Sequence, residues 1–152
     1  MAHHATRLIL GSEMRTVAGT FVGLVAMIAL AAGCGGGDGG GGGDTVVVTM
    51  GKPSEYAMTP QPTEISAGTV TFEVKNEGTL VHEMVVIKTD KGAANLGTDG
   101  EADENGAVDE VADLPVGESK TLELDLTAGK YALVCNISGH YPAGMYADFT
   151  VK

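Results

Sequence analysis

The chain has 152 residues, which suffices for one folded domain, and it carries 20 acidic side chains against 9 basic ones. A formal charge of −11 argues against nucleic acid as a partner, because nucleic-acid binding needs basic patches, and it suits basic protein partners. The chain has two cysteines, Cys34 and Cys135, and four histidines, so any thiol or imidazole chemistry depends on few residues.

Residues 1–33 have the layout of a secretory signal peptide. Two arginines precede an uncharged apolar stretch over residues 16–32, which ends in small residues. The segment Leu30-Ala-Ala-Gly-Cys34 resembles a bacterial lipobox, and this resemblance implies cleavage before Cys34 and lipidation of its thiol. We therefore expect a protein outside the cytoplasm, either periplasmic or lipid-anchored to the cell membrane. An uncleaved membrane anchor is the alternative, and Met14 is a second candidate for the start of the chain.

Residues 34–44 are predicted to be a lipidated cysteine followed by a flexible linker. Positions 35–44 contain only glycine and aspartate, a composition that does not bury side chains. A Gly-rich coil of this length spans roughly 16–19 Å root-mean-square. Such a linker holds a domain near a membrane and lets it rotate, although a plain spacer is an equally good interpretation. The folded domain is predicted to cover residues 45–152.

From Thr45 onward the sequence has β-strand patterns. In one segment, Val70, Phe72 and Val74 alternate with polar residues and are expected on one buried face. Turn-forming glycine, proline and asparagine separate the segments, and no helix of ordinary length is predicted. Short strands at this spacing predict an all-β sandwich. The predicted strands are 45–50, 69–75, 80–87, 119–126, 130–135 and 146–151.

Residues 90–113 are strongly acidic and are predicted to form a long solvated loop, with an optional helical turn over 107–112. Its residues 99–103 begin like a calcium-binding loop, but Glu104 stands where such a loop needs glycine for its sharp turn. We therefore do not expect calcium. If the loop has a further role, we expect it to dock a basic partner.

Near the C-terminus, Cys135, His140 and Met145 follow one another at steps of five residues. On a helix this spacing scatters the three side chains over different faces, so we predict that they converge from a loop between two strands. His82 lies in an apolar run far upstream and would come from a neighbouring strand. Cysteine, two histidines and methionine form the ligand set of a mononuclear copper electron-transfer site.

Two other interpretations of these residues remain open. Zinc is the competing metal, but structural zinc sites favour four Cys or His ligands in paired short spacings, and Glu83 beside His82 should point to the opposite face of its strand. Taken singly, each of the four residues could be an ordinary core side chain. Taken together they favour a metal, because removal of residues 1–33 leaves no other histidine and, besides Cys34, no other thiol.

Three segments, 114–119, 129–135 and 139–145, together resemble the cupredoxins, the small blue copper proteins. His140-Tyr-Pro-Ala-Gly-Met145 is similar to a plastocyanin segment, whereas the wider step from Cys135 to His140 is closer to auracyanins, rusticyanins and sulfocyanins. The resemblance implies a Greek-key β-sandwich over residues 45–152. It also implies one copper ion, cycling between Cu(I) and Cu(II), bound by His82, Cys135, His140 and Met145.

The resemblance further implies that His140 lies at the surface within an apolar patch, for which Tyr141, Pro142 and Ala143 are the candidates. Glu83 replaces the asparagine that follows the first histidine in many members. Whether hydrogen bonds still join the two ligand segments at Glu83 is open.

The leading functional hypothesis is a monomeric one-electron carrier, not an enzyme, whose partners are redox proteins. The alternative is a copper-binding protein for copper delivery, storage or resistance. Met50, Met58 and Met84 are candidate soft ligands for it, but they are scattered along the chain and are expected to be core or surface side chains. A multicopper oxidase would need many more histidines, in His-x-His pairs that the sequence lacks.

Overall fold

The computed structural model describes residues 43–97 and 100–152. The predicted signal segment, Cys34 and the linker up to residue 42 lie outside the described residues. Within the described ranges no helix is long and apolar enough to cross a membrane. One turn of 3-10 helix spans Ala93–Asn95. The strands of these ranges are, in chain order, β1 (Asp44–Met50), β2 (Met58–Gln61), β3 (Glu64–Ile65), β4 (Gly68–Asn76), β5 (His82–Lys88), β6 (Ala107–Leu114), β7 (Ser119–Leu126), β8 (Gly129–Val134) and β9 (Tyr146–Val151).

The strands form two sheets that pack as a sandwich. The first has the order β2-β1-β4-β7, in which β1 and β4 are parallel and the outer pairs are antiparallel. The second has the order β3-β9-β8-β5-β6 and is antiparallel except where β3 pairs with β9. The predicted all-β, cupredoxin-like Greek-key sandwich is confirmed.

The main hydrophobic core lies between the two sheets. Val70, Phe72 and Val74 are fully buried, as their alternation along β4 predicts. The ring of Phe72 meets that of Phe149 on the opposite sheet edge to face, with centroids 5.5 Å apart. Burying each such side chain contributes about 1.5–3 kcal/mol, so this core fixes the frame on which the site is built.

A second, smaller cluster covers the outer face of the five-stranded sheet. The segment between β5 and β6 lies over this face, where Ala93, Leu96 and Ala102 pack against Val85 and Ile87. The segment was predicted to be a solvated loop, and the sequence pattern missed that its few apolar residues are buried.

The loop predicted over residues 90–113 is wrong for residues 107–113, and the optional helical turn at 107–112 is absent. Residues 107–114 form β6, the edge strand of the second sheet. Only Val111 and Leu114 of this strand are buried, and its acidic side chains face solvent. Charged side chains on an edge strand protect it from pairing with other chains, and they also hide its β pattern in the sequence.

Candidate metal centre

The segment from Cys135 to Met145 is a closed loop between β8 and β9, as its spacing predicts. Cys135 follows the last residue of β8 and Met145 precedes the first residue of β9. The Cys135 N–H donates to the Met145 carbonyl at 3.0 Å, and the Met145 N–H donates to the His140 carbonyl at 3.1 Å. These bonds hold the three predicted ligand residues together by their backbone.

His82 is the first residue of β5 and points into the sandwich. The ladder pairs His82 with Leu114, then shifts register before Met84, which pairs with Val111. This irregularity gives β6 one extra residue opposite Glu83, and such bulges re-aim the side chains beside them. His82 is fully buried, on the same face of the strand as Met84.

The donor atoms of three predicted ligands face one another. His140 Nδ1 lies 3.3 Å from His82 Nδ1 and 3.3 Å from Cys135 Sγ. One potential ligand atom from each of the three side chains lies within 4.8 Å of the others. Donors that share an ion at bond lengths of about 2.0–2.3 Å are roughly 3.3–3.9 Å apart, so the arrangement fits a single small metal ion.

Burial and donor type both match copper. His82, Cys135 and Met145 are fully buried and His140 is 8 % exposed. A thiolate and two imidazoles bind copper in both oxidation states, and a thioether such as that of Met145 adds a soft donor for Cu(I). The residues present therefore fit a copper ion held by side chains from β5 and the 135–145 loop.

Burial disfavours the charged forms of Cys135 and His140 when no metal is bound. Burial raises the pKa of the Cys135 thiol, although its sulfur accepts the Glu83 backbone N–H at 3.4 Å. Burial, and then the neighbouring His82, lower the pKa of His140. A metal ion supplies the positive charge that this buried thiolate otherwise lacks.

Glu83 joins the two ligand segments. Its side chain leaves β5 on the face opposite to His82, as predicted, and its Oε1 accepts the Asn136 backbone N–H at 2.8 Å. Burial raises the pKa of this carboxyl, whereas the bond from Asn136 acts in the opposite direction. The link that the sequence left open is therefore present, with a carboxylate in place of an amide.

Two neighbours of the histidines gave no signal in the sequence. Glu55 Oε1 lies 2.9 Å from His82 Nε2, and the ring of Tyr56 meets that of His140 at 5.2 Å between centroids and an angle of 68°. Both residues come from the loop between β1 and β2, which has no recognisable metal-site spacing. Only the tertiary fold brings this loop to the site.

The predicted surface at His140 is in part wrong. Tyr141 is buried, because its hydroxyl accepts the Leu96 N–H at 2.9 Å and donates to the Ala93 carbonyl at 2.7 Å. Pro142 and Ala143 are exposed as expected. The aromatic side chain that reaches solvent beside His140 is Tyr56 instead, which is 37 % exposed.

Comparison with known proteins agrees with this site. The sulfocyanin (SoxE) domain matches residues 62–152, which is more than half of the chain and includes His82, Cys135, His140 and Met145. Comparison with curated protein sequences gave no match.

Solved structures with the same fold include reduced rusticyanin, with 24% identity, a TM-score of 0.56, and coverage of 71% of this chain and 78% of that one. Auracyanin B has 22% identity and a TM-score of 0.56, with coverage of 72% and 88%. Rusticyanin from Thiobacillus ferrooxidans has 23% identity and a TM-score of 0.53, with coverage of 71% and 76%. At such identities the likeness concerns the fold alone. Family match, fold and donor set together assign this chain to the sulfocyanin family of the cupredoxins, the blue copper proteins that bind one copper ion.

Proposed function

We propose that this protein carries single electrons between redox partners outside the cytoplasm, using one copper ion bound by His82, Cys135, His140 and Met145. The observation that carries the proposal is the group of three buried donor atoms within 4.8 Å of one another, on a loop that also bears the buried Met145. Copper in this position supplies a one-electron couple between Cu(II) and Cu(I).

The surroundings of the site support electron transfer because they limit rearrangement. His82 is held by the β5 ladder, and the loop from Cys135 to Met145 is closed by its own backbone hydrogen bonds. Glu83 ties the strand to the loop. Donor atoms that are fixed by both the strand and the loop keep their positions when the charge on the metal changes. This lowers the reorganisation energy of gaining or losing an electron.

The surface at the copper end supports brief contacts with other proteins. Four of the five exposed large apolar side chains among the described residues lie in loops at this end, namely Tyr56, Leu80, Val81 and Val116. Asn76 connects these loops, because it bonds the Leu80 carbonyl by its side chain and Gly117 by its backbone. A small apolar surface with few fixed contacts favours transient encounters.

The acidic charge of the chain supports a basic redox partner. The exposed β6 side chains Asp109, Glu110 and Asp113 add negative charge at the edge of the sheet that carries His82. Opposite charge on a partner speeds encounter and makes the rate fall with ionic strength. We propose that the protein works as a monomer in such encounters, without substrate chemistry of its own.

Residues 1–44 support the proposed location. The signal-like segment, the lipobox-like sequence at Cys34 and the Gly-rich linker together favour a lipid-anchored domain on the outer side of the cell membrane. Expression of the full chain in a bacterium that processes lipoproteins should place it in the membrane fraction and label it with supplied palmitate, and Cys34→Ser should abolish the labelling. Equal labelling of both proteins would count against lipidation at Cys34.

Copper delivery or storage is the alternative function. Its candidate soft ligands Met50, Met58 and Met84 are core side chains, since all three are buried in the main core. The buried donor set also leaves an incoming copper acceptor little access. Both observations favour electron transfer over copper exchange.

One comparison of rates tests the proposal against this alternative. In the copper-loaded full chain, electron self-exchange should be far faster than the loss of copper to a strong chelator, and ascorbate should bleach the colour reversibly. Copper that leaves on the timescale of electron exchange would support delivery instead. The control variant Ser138→Ala should leave both rates unchanged, since Ser138 is exposed on the same loop and provides no proposed donor atom.

A further inference from the structure

The two ring nitrogens of His82 face different partners. Its Nδ1 lies 3.3 Å from His140 Nδ1, on the side where the donor atoms meet. Its Nε2 lies 2.9 Å from Oε1 of Glu55, on the other side of the ring. The His82 side chain is fully buried and the Glu55 side chain is 24% exposed, so this contact is largely shielded from water.

The Glu55 carboxylate is held in place by several donors besides His82. Thr79 donates to it through its backbone N–H at 3.0 Å and through its hydroxyl at 2.7 Å, and the Leu80 N–H donates at 3.0 Å. An ionised carboxylate is an acceptor only, and each of these groups is a donor. The carboxylate therefore ties the β1–β2 loop to the residues just before His82, and it is well suited to remain charged.

The arrangement selects one tautomer of His82. Because the carboxylate only accepts, Nε2 must carry the proton that lies between them, and Nδ1 then keeps its lone pair free. Nδ1 is the nitrogen that faces His140 and Cys135. The ring is thus prepared to bind a metal through Nδ1 before the metal arrives.

Gly78 gives independent support that this contact is built into the fold. A Cβ added at Gly78 would lie 2.5 Å from Glu55 Oε1 and 2.8 Å from His82 Nε2. Any side chain there would displace one partner or the other. The buried Asn76 holds the position of Gly78, because its Oδ1 accepts the Gly78 N–H at 3.0 Å.

His140 has a different neighbour. Its ring meets the edge of Tyr56, and in the described part of the chain no carboxylate lies within hydrogen-bonding distance of its ring. Among the described residues, therefore, His82 has a carboxylate partner and His140, the other proposed imidazole ligand, does not.

We propose that Glu55 is a positioning residue that holds His82 in its metal-binding tautomer and lowers the reduction potential of the copper. This inference rests on the proposed role of His82 as a ligand. A carboxylate bonded to the outer nitrogen of a ligating histidine fixes the ring and raises its basicity as a ligand. A negative charge at that distance in a buried site stabilises Cu(II) more than Cu(I), because Cu(II) carries the larger positive charge.

The variant Glu55→Gln tests this in the copper-loaded full chain. Loss of such a partner typically weakens metal binding by 10–100-fold, so we expect about tenfold weaker Cu(II) binding with Cu(I) binding little changed. A tenfold change in the ratio of Cu(II) affinity to Cu(I) affinity corresponds to about 59 mV. We therefore expect the reduction potential of Glu55→Gln to rise by this amount. The matched control is Glu77→Gln, which removes the same charge from an exposed residue of the neighbouring loop.

The outcomes separate this inference from the proposed function. A potential that rises in Glu55→Gln but not in Glu77→Gln supports it, whereas equal shifts, no shift or a fall would overturn it. A wild-type protein that forms no coloured copper complex would refute the proposed function itself, before Glu55 is tested. If Glu55→Gln does not fold, nitrogen NMR of the wild-type metal-free protein gives the answer, since neutral His82 should already be protonated at Nε2 before copper is added. Protonation at Nδ1 would overturn the proposal.

Discussion

The two histidines of the proposed copper site are supported in different ways. His82 begins a strand, is fully buried and has the Glu55 carboxylate on its outer nitrogen. His140 lies on a loop, is 8 % exposed and has the ring of Tyr56 beside it. We therefore propose different roles for the two histidines. The His82 side sets the reduction potential of the copper, and the His140 side passes electrons to the surface.

Each side also has its own polar anchor, which is buried Asn76 on one side and half-buried Asn136 on the other. On the His82 side, the Asn76 side chain donates to the carbonyls of Leu80 and Leu114 at 2.8 and 2.9 Å. On the loop side, Asn136 bonds both backbone groups of Ala102 and thereby attaches the acidic segment to the residue after Cys135. Replacing Asn76 and Asn136 one at a time tests whether the loss of one anchor destabilises its own side of the site without affecting the other side.

The largest effect is expected from Asn76→Ala, on the His82 side. The change leaves the buried Leu114 carbonyl and the half-buried Gly78 N–H without their partner, which should lower the free energy of unfolding by about 3 kcal/mol. Denaturant titration of the metal-free protein measures this. The control Asn105→Ala alters an exposed side chain and should stay within about 0.5 kcal/mol. A loss in Asn76→Ala no larger than that of the control would show that the anchor is unimportant.

A smaller effect is expected from Asn136→Ala, on the loop side. The side chain is half-buried and loses bonds to Ala102 and to Glu104 Oε1 at 2.7 Å, so the loss of stability should be about 1–2 kcal/mol. Hydrogen exchange at the Ala102 amide should accelerate, whereas exchange in β1 and β4 should not change. Protection of the Ala102 amide that stays at the wild-type level would contradict the role given to Asn136.

The smallest effect is expected from Tyr56→Leu, beside His140. An edge-to-face aromatic contact contributes about 0.5–1.5 kcal/mol, and this one is partly exposed, so stability should fall by less than about 1 kcal/mol. Removal of the ring should open His140 to solvent and speed the reduction of copper by small reagents, while Tyr56→Phe keeps the ring and should behave like wild type. Equal rates in all three proteins would mean that Tyr56 does not cover the site.

The comparison also shows which features the sequence could reveal. The loop from Cys135 to Met145 and the burial of His82 were predictable, because ligand spacing and strand alternation are local patterns. Glu55 and Tyr56 were not, since they belong to a loop whose position depends on how β1 and β4 pair. Tyr141 was expected at the surface, but its hydroxyl bonds backbone groups of a segment 45 residues or more away in the chain.

The missed strands have a physical explanation as well. β2 and β3 are short and lie at sheet edges, where the alternating pattern is weak, and β2 contains a proline. β6 lies at the other edge of its sheet, and its acidic residues made it resemble a solvated loop. Central strands such as β4, which have one face in the core, were predicted nearly to their ends.

Titration of the full chain with Cu(II), followed by its visible spectrum, tests the central claim most directly. We predict an intense blue colour that saturates at one copper per chain and is absent from the Cys135→Ser variant, since the colour requires a copper–thiolate bond. A colourless complex, or the same spectrum in Cys135→Ser, would contradict the proposed site.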